Sequence, residues 1–124
     1  MSFKGLKFVI AGLAGASLLC STALAQSVGE DEQVTATMII YLDPSVQFFN
    51  PVVRGAQDAA EDFNVSLDVQ YANNDPVRQN DLIDSAAAAG VDGIAVAISS
   101  SDAFDEAICS AVDQGIIVIV FFFF

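Results

Sequence analysis

Apolar runs and amphipathic segments alternate along the chain from residue 37 to its end. Three continuous apolar runs, Thr37–Leu42, Gly93–Ile98 and Ile116–Val120, are predicted to be strands buried on both faces. A fourth segment, Leu67–Tyr71, alternates apolar and polar residues, so it is predicted to lie nearer an edge of the sheet. Amphipathic segments separate all four, which predicts strands and helices in strict alternation.

Three helices are predicted between these strands. Asn50-Pro51 and Asp75-Pro76 each place a capping side chain before a proline, which is typical of a helix start. The third helix is predicted to begin at Ser101 or Asp102, and glycines at 90 and 115 are predicted to end the second and third helices. The residues predicted to face the sheet are Val52, Val53, Ala56, Ala59, Ala60 and Phe63, then Val77, Leu82, Ile83, Ala86 and Ala87, then Phe104, Ala107, Ile108, Ala111 and Val112.

The order β-α-β-α-β-α-β predicts an α/β fold, a three-layer doubly wound parallel sheet with helices on both faces. Its last strand belongs to a run of nine apolar residues, Ile116–Phe124, that closes the sequence. A membrane helix needs about 20 apolar residues, so this run is too short to be an anchor. We interpret it as an interior strand, and we expect the sequence to be part of a longer protein.

The first 25 residues have the organisation of a secretory signal peptide. Lys4 and Lys7 precede the apolar run Phe8–Leu19. Ala23-Leu24-Ala25 then supplies small residues at the two positions that a signal peptidase recognises before cleavage at Gln26. The alternative is an uncleaved membrane anchor. Residues 26–35 are predicted to form a disordered acidic leader. The globular part is then expected at 36–124, in an exported protein.

Composition excludes several classes of function. Without residues 1–25 the chain keeps two arginines against 16 acidic residues, a net charge of −14 that repels nucleic acid and anionic lipid. There is no histidine, so Ser-His-Asp and Cys-His catalysis and the commonest metal ligand are excluded. The remaining cysteine, Cys109, is interpreted as a packing residue. No glycine-rich phosphate loop follows a strand and no carboxylates have EF-hand spacing, so we expect a binding protein without cofactor or metal, not an enzyme.

Ligands of open α/β sheets bind beyond the carboxyl ends of the strands, where the strand order reverses. The loops predicted at that edge, Asp43–Asn50, Ala72–Asp75 and Ser99–Asp102, are long and polar. Phe48 and Phe49 lie among hydrogen-bonding residues, and an aromatic face beside carboxylates and amides can hold a sugar. The alternatives are that both rings close the core and that the Asn, Asp and Ser residues are ordinary turn and cap residues.

Three stretches of the chain resemble a known family. They are "FFNPVVRGAQDAAEDFNV", "LIDSAAAAGVDGIAVAISSSDAFDEAI" and "AVDQGIIVIV". The sequence is similar to the start of the first lobe of the type I periplasmic sugar-binding proteins, the ribose-binding-like solute receptors of ABC transporters. The resemblance implies a periplasmic protein whose two lobes close around a sugar and deliver it to an inner-membrane permease. It implies stacking by Phe48 or Phe49 and polar contacts from Asp43, Ser45, Asn73 and Asn74.

Two departures from the family bear on these expectations. Phe121–Phe124 stand where the family usually has a polar loop that touches ligand, and the second lobe and hinge have no counterpart. The four phenylalanines suggest a gene fragment or a frameshift, and half of a two-lobed site is expected to bind only weakly. The alternative function is the sensory domain of a membrane receptor or kinase. A repressor's effector domain and a small flavodoxin-like enzyme agree less well with the charge and the residues.

Overall fold

The computed structural model describes residues 32–100 and 102–122, so the predicted signal peptide lies outside the described part. The elements, in chain order, are β1 (Val34–Ile40), α1 (Asn50–Asp62), β2 (Val65–Tyr71), α2 (Pro76–Ala88), β3 (Gly93–Ile98), α3 (Asp105–Asp113) and β4 (Ile117–Phe122), with a short 3-10 turn at Gln47–Phe49. This is the predicted alternation. β1 begins before its predicted start at 37, so residues 34 and 35 belong to the strand and not to the leader.

The four strands form one parallel sheet in the order β2-β1-β3-β4. At its centre, Ile39 of β1 is paired with Gln70 of β2 on one side and with Val96 of β3 on the other. β2 forms one edge, as its alternating pattern predicts. β4 forms the other edge and two of its isoleucines are exposed, so the prediction of an interior strand buried on both faces is wrong for the described residues. The three-layer doubly wound fold is confirmed.

Two apolar clusters hold the helices on the sheet. On one face Ile39, Val96 and Ile98 pack with Ile83 of α2, with Phe104 just before α3, and with small residues of α3. The opposite face carries α1 over a second cluster, whose buried members are Met38, Ile40, Phe49 and Ala97. Neighbouring residues of a strand point to opposite faces, which is why continuous apolar runs form β1 and β3.

The face that carries α1 is covered unevenly. A helix is about 10 Å wide and strands are about 4.8 Å apart, so one helix covers roughly two strands. The apolar residues of α1 belong to one cluster with residues of β1, β2 and β3. On β4, Ile117 is 69% exposed and Ile119 is 60% exposed. They border a groove that also includes Val34 and Gly93. Two helices cover the other face, whereas on this one the described part of the chain leaves Ile117 and Ile119 of β4 exposed.

The first helix opens at Asn50-Pro51 as predicted, but the capping role of Asn50 and the predicted start of the third helix are wrong. Asn50 lies inside α1 and its side chain caps nothing, because the 3-10 turn leads directly into the helix and puts Phe49 at the cap position. The third helix begins at Asp105, with the buried Phe104 before it, and not at 101 or 102. The predicted cap at Asp75 is confirmed, because its carboxylate accepts hydrogen bonds from the backbone N–H groups of Val77 and Arg78.

Some predicted core residues are exposed. Phe63 is 78% exposed because α1 ends one residue before it. The buried stripe of α2 contains Gln79 and Ile83, about one turn apart, and Val77 lies roughly 200° around the helix from Gln79. Val112 is also exposed, as is Cys109, so the interpretation of this cysteine as a packing residue is wrong.

Candidate functional site

The sequence-predicted site residues lie at the carboxyl edge of the sheet, near a reversal of strand order. β1 and β3 are neighbours, but the chain leaves β1 towards α1 on one face and leaves β3 towards α3 on the other. The loops that follow these two strands therefore diverge. In open α/β sheets a crevice of this kind is the usual place for a ligand.

The loop after β1 presents an ionised carboxylate. Asp43 accepts a hydrogen bond from the backbone N–H of Ser45 at 2.8 Å, and its own carbonyl accepts one from Val46 at 3.0 Å. The Ser45 hydroxyl, and then the Ser45 backbone N–H, hold the pKa of Asp43 below its ordinary value. Hydrogen bonds to the charged form favour ionisation. At neutral pH this side chain is thus an acceptor suited to hydroxyl groups.

The two adjacent phenylalanines have different environments. Phe49 is 1% exposed and belongs to the cluster under α1, whereas Phe48 is 57% exposed. The ring of Phe49 packs edge to face against the rings of Phe48 and Tyr41, with distances between ring centroids of 5.3 Å and 5.7 Å, respectively. Edge-to-face pairs are a favourable aromatic geometry. Of the two rings, Phe48 presents its surface at the sheet edge, and Phe49 supports it from the core.

The loop after β2 is joined to the end of β1. The backbone N–H of Asn74 donates to the carbonyl of Tyr41 at 2.6 Å, two residues before Asp43. Asn73 and Asn74 have φ of 55° and 59°, in the left-handed region that asparagine tolerates. This backbone accounts for asparagine at both positions. Both residues are exposed beside the loop that holds Asp43.

Sequence reasoning did not identify Gln79 as a residue of this region. It is 1% exposed, and its Nε2 donates to the carbonyl oxygen of Ala97 near the end of β3 at 2.7 Å. The signal was present, because Gln79 falls one turn before the buried Ile83 on the same stripe. A polar residue on an apolar stripe indicates a buried hydrogen bond.

The described residues set limits on other kinds of site. Within 32–100 and 102–122, no group of three or more acidic, histidine or cysteine side chains is placed to hold a metal ion. No helix in that part of the chain is long and apolar enough to cross a bilayer. Two surface grooves accompany α2, one near Asp68 and Ser85 and one between α2 and α3 that is lined by Asn80 and Ala103 among others.

A family model described as a periplasmic binding protein domain matches residues 37–123. A carbohydrate transporter from Acidothermus cellulolyticus 11B, solved in complex with myo-inositol, is similar to this chain, with 36% identity and a TM-score of 0.68. The match covers 72% of this chain and 31% of that one. No curated protein matches.

Two further solved structures have the same fold. An arabinose-binding protein from Geobacillus stearothermophilus is 26% identical, with a TM-score of 0.64, over 72% of this chain and 31% of that one. A 5-methylthioribose transporter solute-binding protein from Thermotoga lettingae TMO, in complex with 5-methylthioribose, is 27% identical, with a TM-score of 0.66, over 73% of this chain and 29% of that one. The chain thus spans less than a third of the length of these three proteins.

Proposed function

This chain belongs to the periplasmic binding protein family, and from that premise we propose that it is part of an exported sugar receptor of an ABC importer. Its carboxyl edge would form one half of a site for a monosaccharide or a similar small polar solute. Binding would involve hydrogen bonds and aromatic stacking and no covalent chemistry. The bound solute would be delivered from the periplasm to a permease in the inner membrane.

The proposal rests chiefly on the exposed ring of Phe48 and its setting. A sugar presents an apolar C–H face and a rim of hydroxyl groups, so it needs an aromatic surface with hydrogen-bonding groups around it. Phe48 offers that surface on a buried aromatic support. The ionised Asp43 and the exposed Asn73 and Asn74 supply acceptors and donors at the same edge. Ser45 would act mainly by holding the Asp43 carboxylate.

The neighbouring structures support the same ligand class. One is solved with myo-inositol, one with 5-methylthioribose, and one is named for arabinose. These compounds combine a small carbon skeleton with several hydroxyl groups. Their common chemistry agrees with a site built from one aromatic ring, a carboxylate and amides.

The open geometry of this edge favours a two-lobed arrangement. A ligand resting on Phe48 would stay wet on its other side, whereas good pockets bury about 70–90% of a small ligand. The neighbours are about three times as long as the matched part, which leaves room for a second lobe. We propose that closure of two lobes completes the site and is the change that the permease detects.

The test is a titration followed by ¹⁵N–¹H NMR, because NMR detects the weak, roughly millimolar binding expected of an open half-site. Myo-inositol and arabinose should shift the amides of Ser45, Phe48 and Asn74, and leucine should not. Phe48→Ala should abolish these shifts. Phe63→Ala, which removes an exposed ring at the opposite end of α1 from Phe48, should leave them intact. Shifts confined to the groove between α2 and α3, or none at all, would refute the proposal.

A further inference from the structure

Three consecutive residues near the start of α2 each donate a side-chain hydrogen bond to a backbone carbonyl. Arg78 Nε donates to Tyr71 at 3.0 Å, and Gln79 Nε2 donates to Ala97 at 2.7 Å. Asn80 Nδ2 donates to Ala103 at 2.9 Å. These carbonyls lie at the last residue of β2, near the end of β3, and just before α3. One helical segment therefore holds both of the loops that follow β2 and β3.

The geometry of an α-helix explains how adjacent residues reach such different targets. Successive side chains are about 100° apart around the axis, so three in a row point in three directions. α2 follows β2 after a short loop, residues 72–75, so its first turns lie at the carboxyl edge. There Arg78 reaches back to β2, Gln79 points into the sheet, and Asn80 reaches across to the residues before α3.

The bond made by Gln79 is the best protected of the three. Gln79 is 1% exposed, and Ala97, which accepts its bond, is fully buried in β3 between Ile40 of β1 and Phe121 of β4. A buried carbonyl that loses its donor is costly, so this bond strongly restrains the end of β3. Ser99 follows Ala97 by two residues.

We propose that Arg78, Gln79 and Asn80 are positioning residues for the ligand site. By fixing the three carbonyls, they hold Asn73 and Asn74 after β2, and Ser99 and Ser100 after β3, in place relative to Phe48. None of the three needs to touch the ligand. This inference rests on the proposed sugar-binding function, and it adds the loop after β3 to the half-site.

The test compares Gln79→Met, which keeps the length of the side chain but removes its amide, with Asn80→Ala. Ser85→Ala is the matched control, because the Ser85 hydroxyl donates to Asp81 within α2 and reaches neither loop. In the full chain without sugar, ¹⁵N relaxation should show order parameters of the Ser99 and Ser100 amides falling from about 0.85 to below about 0.6 in both variants. In the Ser85→Ala control, the order parameters of these two amides should equal those of the unmodified chain.

A second measurement is the myo-inositol titration of the same variants. A lost hydrogen bond corresponds to roughly a two- to twelvefold change in an equilibrium, so both variants should bind about fivefold more weakly than the control. If the two variants lower the urea midpoint but leave the motion of the loop and the affinity for myo-inositol unchanged, the side chains contribute only to stability and the proposal is refuted. Should Gln79→Met not fold, the half-buried Asn80 still tests the loop after β3.

The two proposals fail in distinguishable ways. If the unmodified chain binds no sugar but the variants mobilise Ser99 and Ser100, sugar binding is refuted and the restraint of the loops stands. If the chain binds sugar and the variants bind it equally well with rigid loops, the positioning role is refuted and sugar binding stands.

Discussion

The adjacent phenylalanines should separate stability from binding when each is replaced by alanine. Phe49 is 1% exposed and its ring contacts the rings of both Tyr41 and Phe48. Removing a buried phenylalanine leaves a cavity and typically costs about 3–5 kcal/mol. Small domains have only about 5–15 kcal/mol of stability, so Phe49→Ala should remove a large part of it.

Phe48→Ala should cost much less, because this ring is 57% exposed. Burying a whole large apolar side chain contributes about 1.5–3 kcal/mol, and a little less than half of Phe48 is covered. Its loss should therefore lower the free energy of unfolding by about 1 kcal/mol, including the edge-to-face contact with Phe49. The same substitution should abolish the amide shifts caused by myo-inositol.

Urea unfolding followed by circular dichroism measures both costs, with the slope m held constant across variants. Phe63→Ala is the control for an exposed ring and should change stability by less than about 0.5 kcal/mol. Equal costs for Phe48→Ala and Phe49→Ala would refute the assignment of one ring to the surface and the other to the core. Unchanged sugar binding in Phe48→Ala would refute the stacking role.

Asp75→Ala should lower the free energy of unfolding by about 1 kcal/mol in urea, because it removes the cap of α2, while Asn50→Ala, which removes no cap, should cost less than half as much. Ile117→Lys should increase the monomer fraction in size-exclusion chromatography, since it places a charge on an exposed, uncharged edge strand; an unchanged elution profile would contradict this. Bonds from the Thr35 backbone N–H and hydroxyl hold the pKa of Asp92 below 3.8, so their stabilising effect is complete above about pH 3.8 and lost as pH falls through the lower folded value. Asp92→Asn should therefore weaken the decrease of the urea midpoint as the pH falls below about 3.8, and an unchanged acid profile would contradict this cause.

Prediction from the sequence was most accurate where the signal is repeated along an element. Gly93–Ile98 was predicted with its observed bounds, because all six residues of the strand belong to one unbroken apolar run and a glycine begins it. Helix starts depend on single residues, and polar loops contain several capping candidates. The buried Phe104 determines the start of α3, and its burial depends on contacts with distant residues.

The candidate site shows the same limit. The sequence identified the edge and the aromatic pair, but it left open which ring faces outward, because the 3-10 turn at Gln47–Phe49 has neither strand nor α-helical periodicity. Gln79 was missed because its role depends on a carbonyl 18 residues away. Local patterns locate the edge, and long-range contacts assign the side chains.

The central place of β1 has a consequence for synthesis of the protein. β1 is made first, and its neighbour β2 follows soon after, but its other neighbour is β3. The hydrogen bonds that join Thr35 to Asp92 span 57 positions. At about 5–20 residues per second, the nascent chain waits a few seconds between the release of its second and third strands. During that interval Ile39 is without the cover of β3, α2 and α3, so a side chain that is fully buried once folding is complete is accessible to proteases and to chaperones while the chain grows.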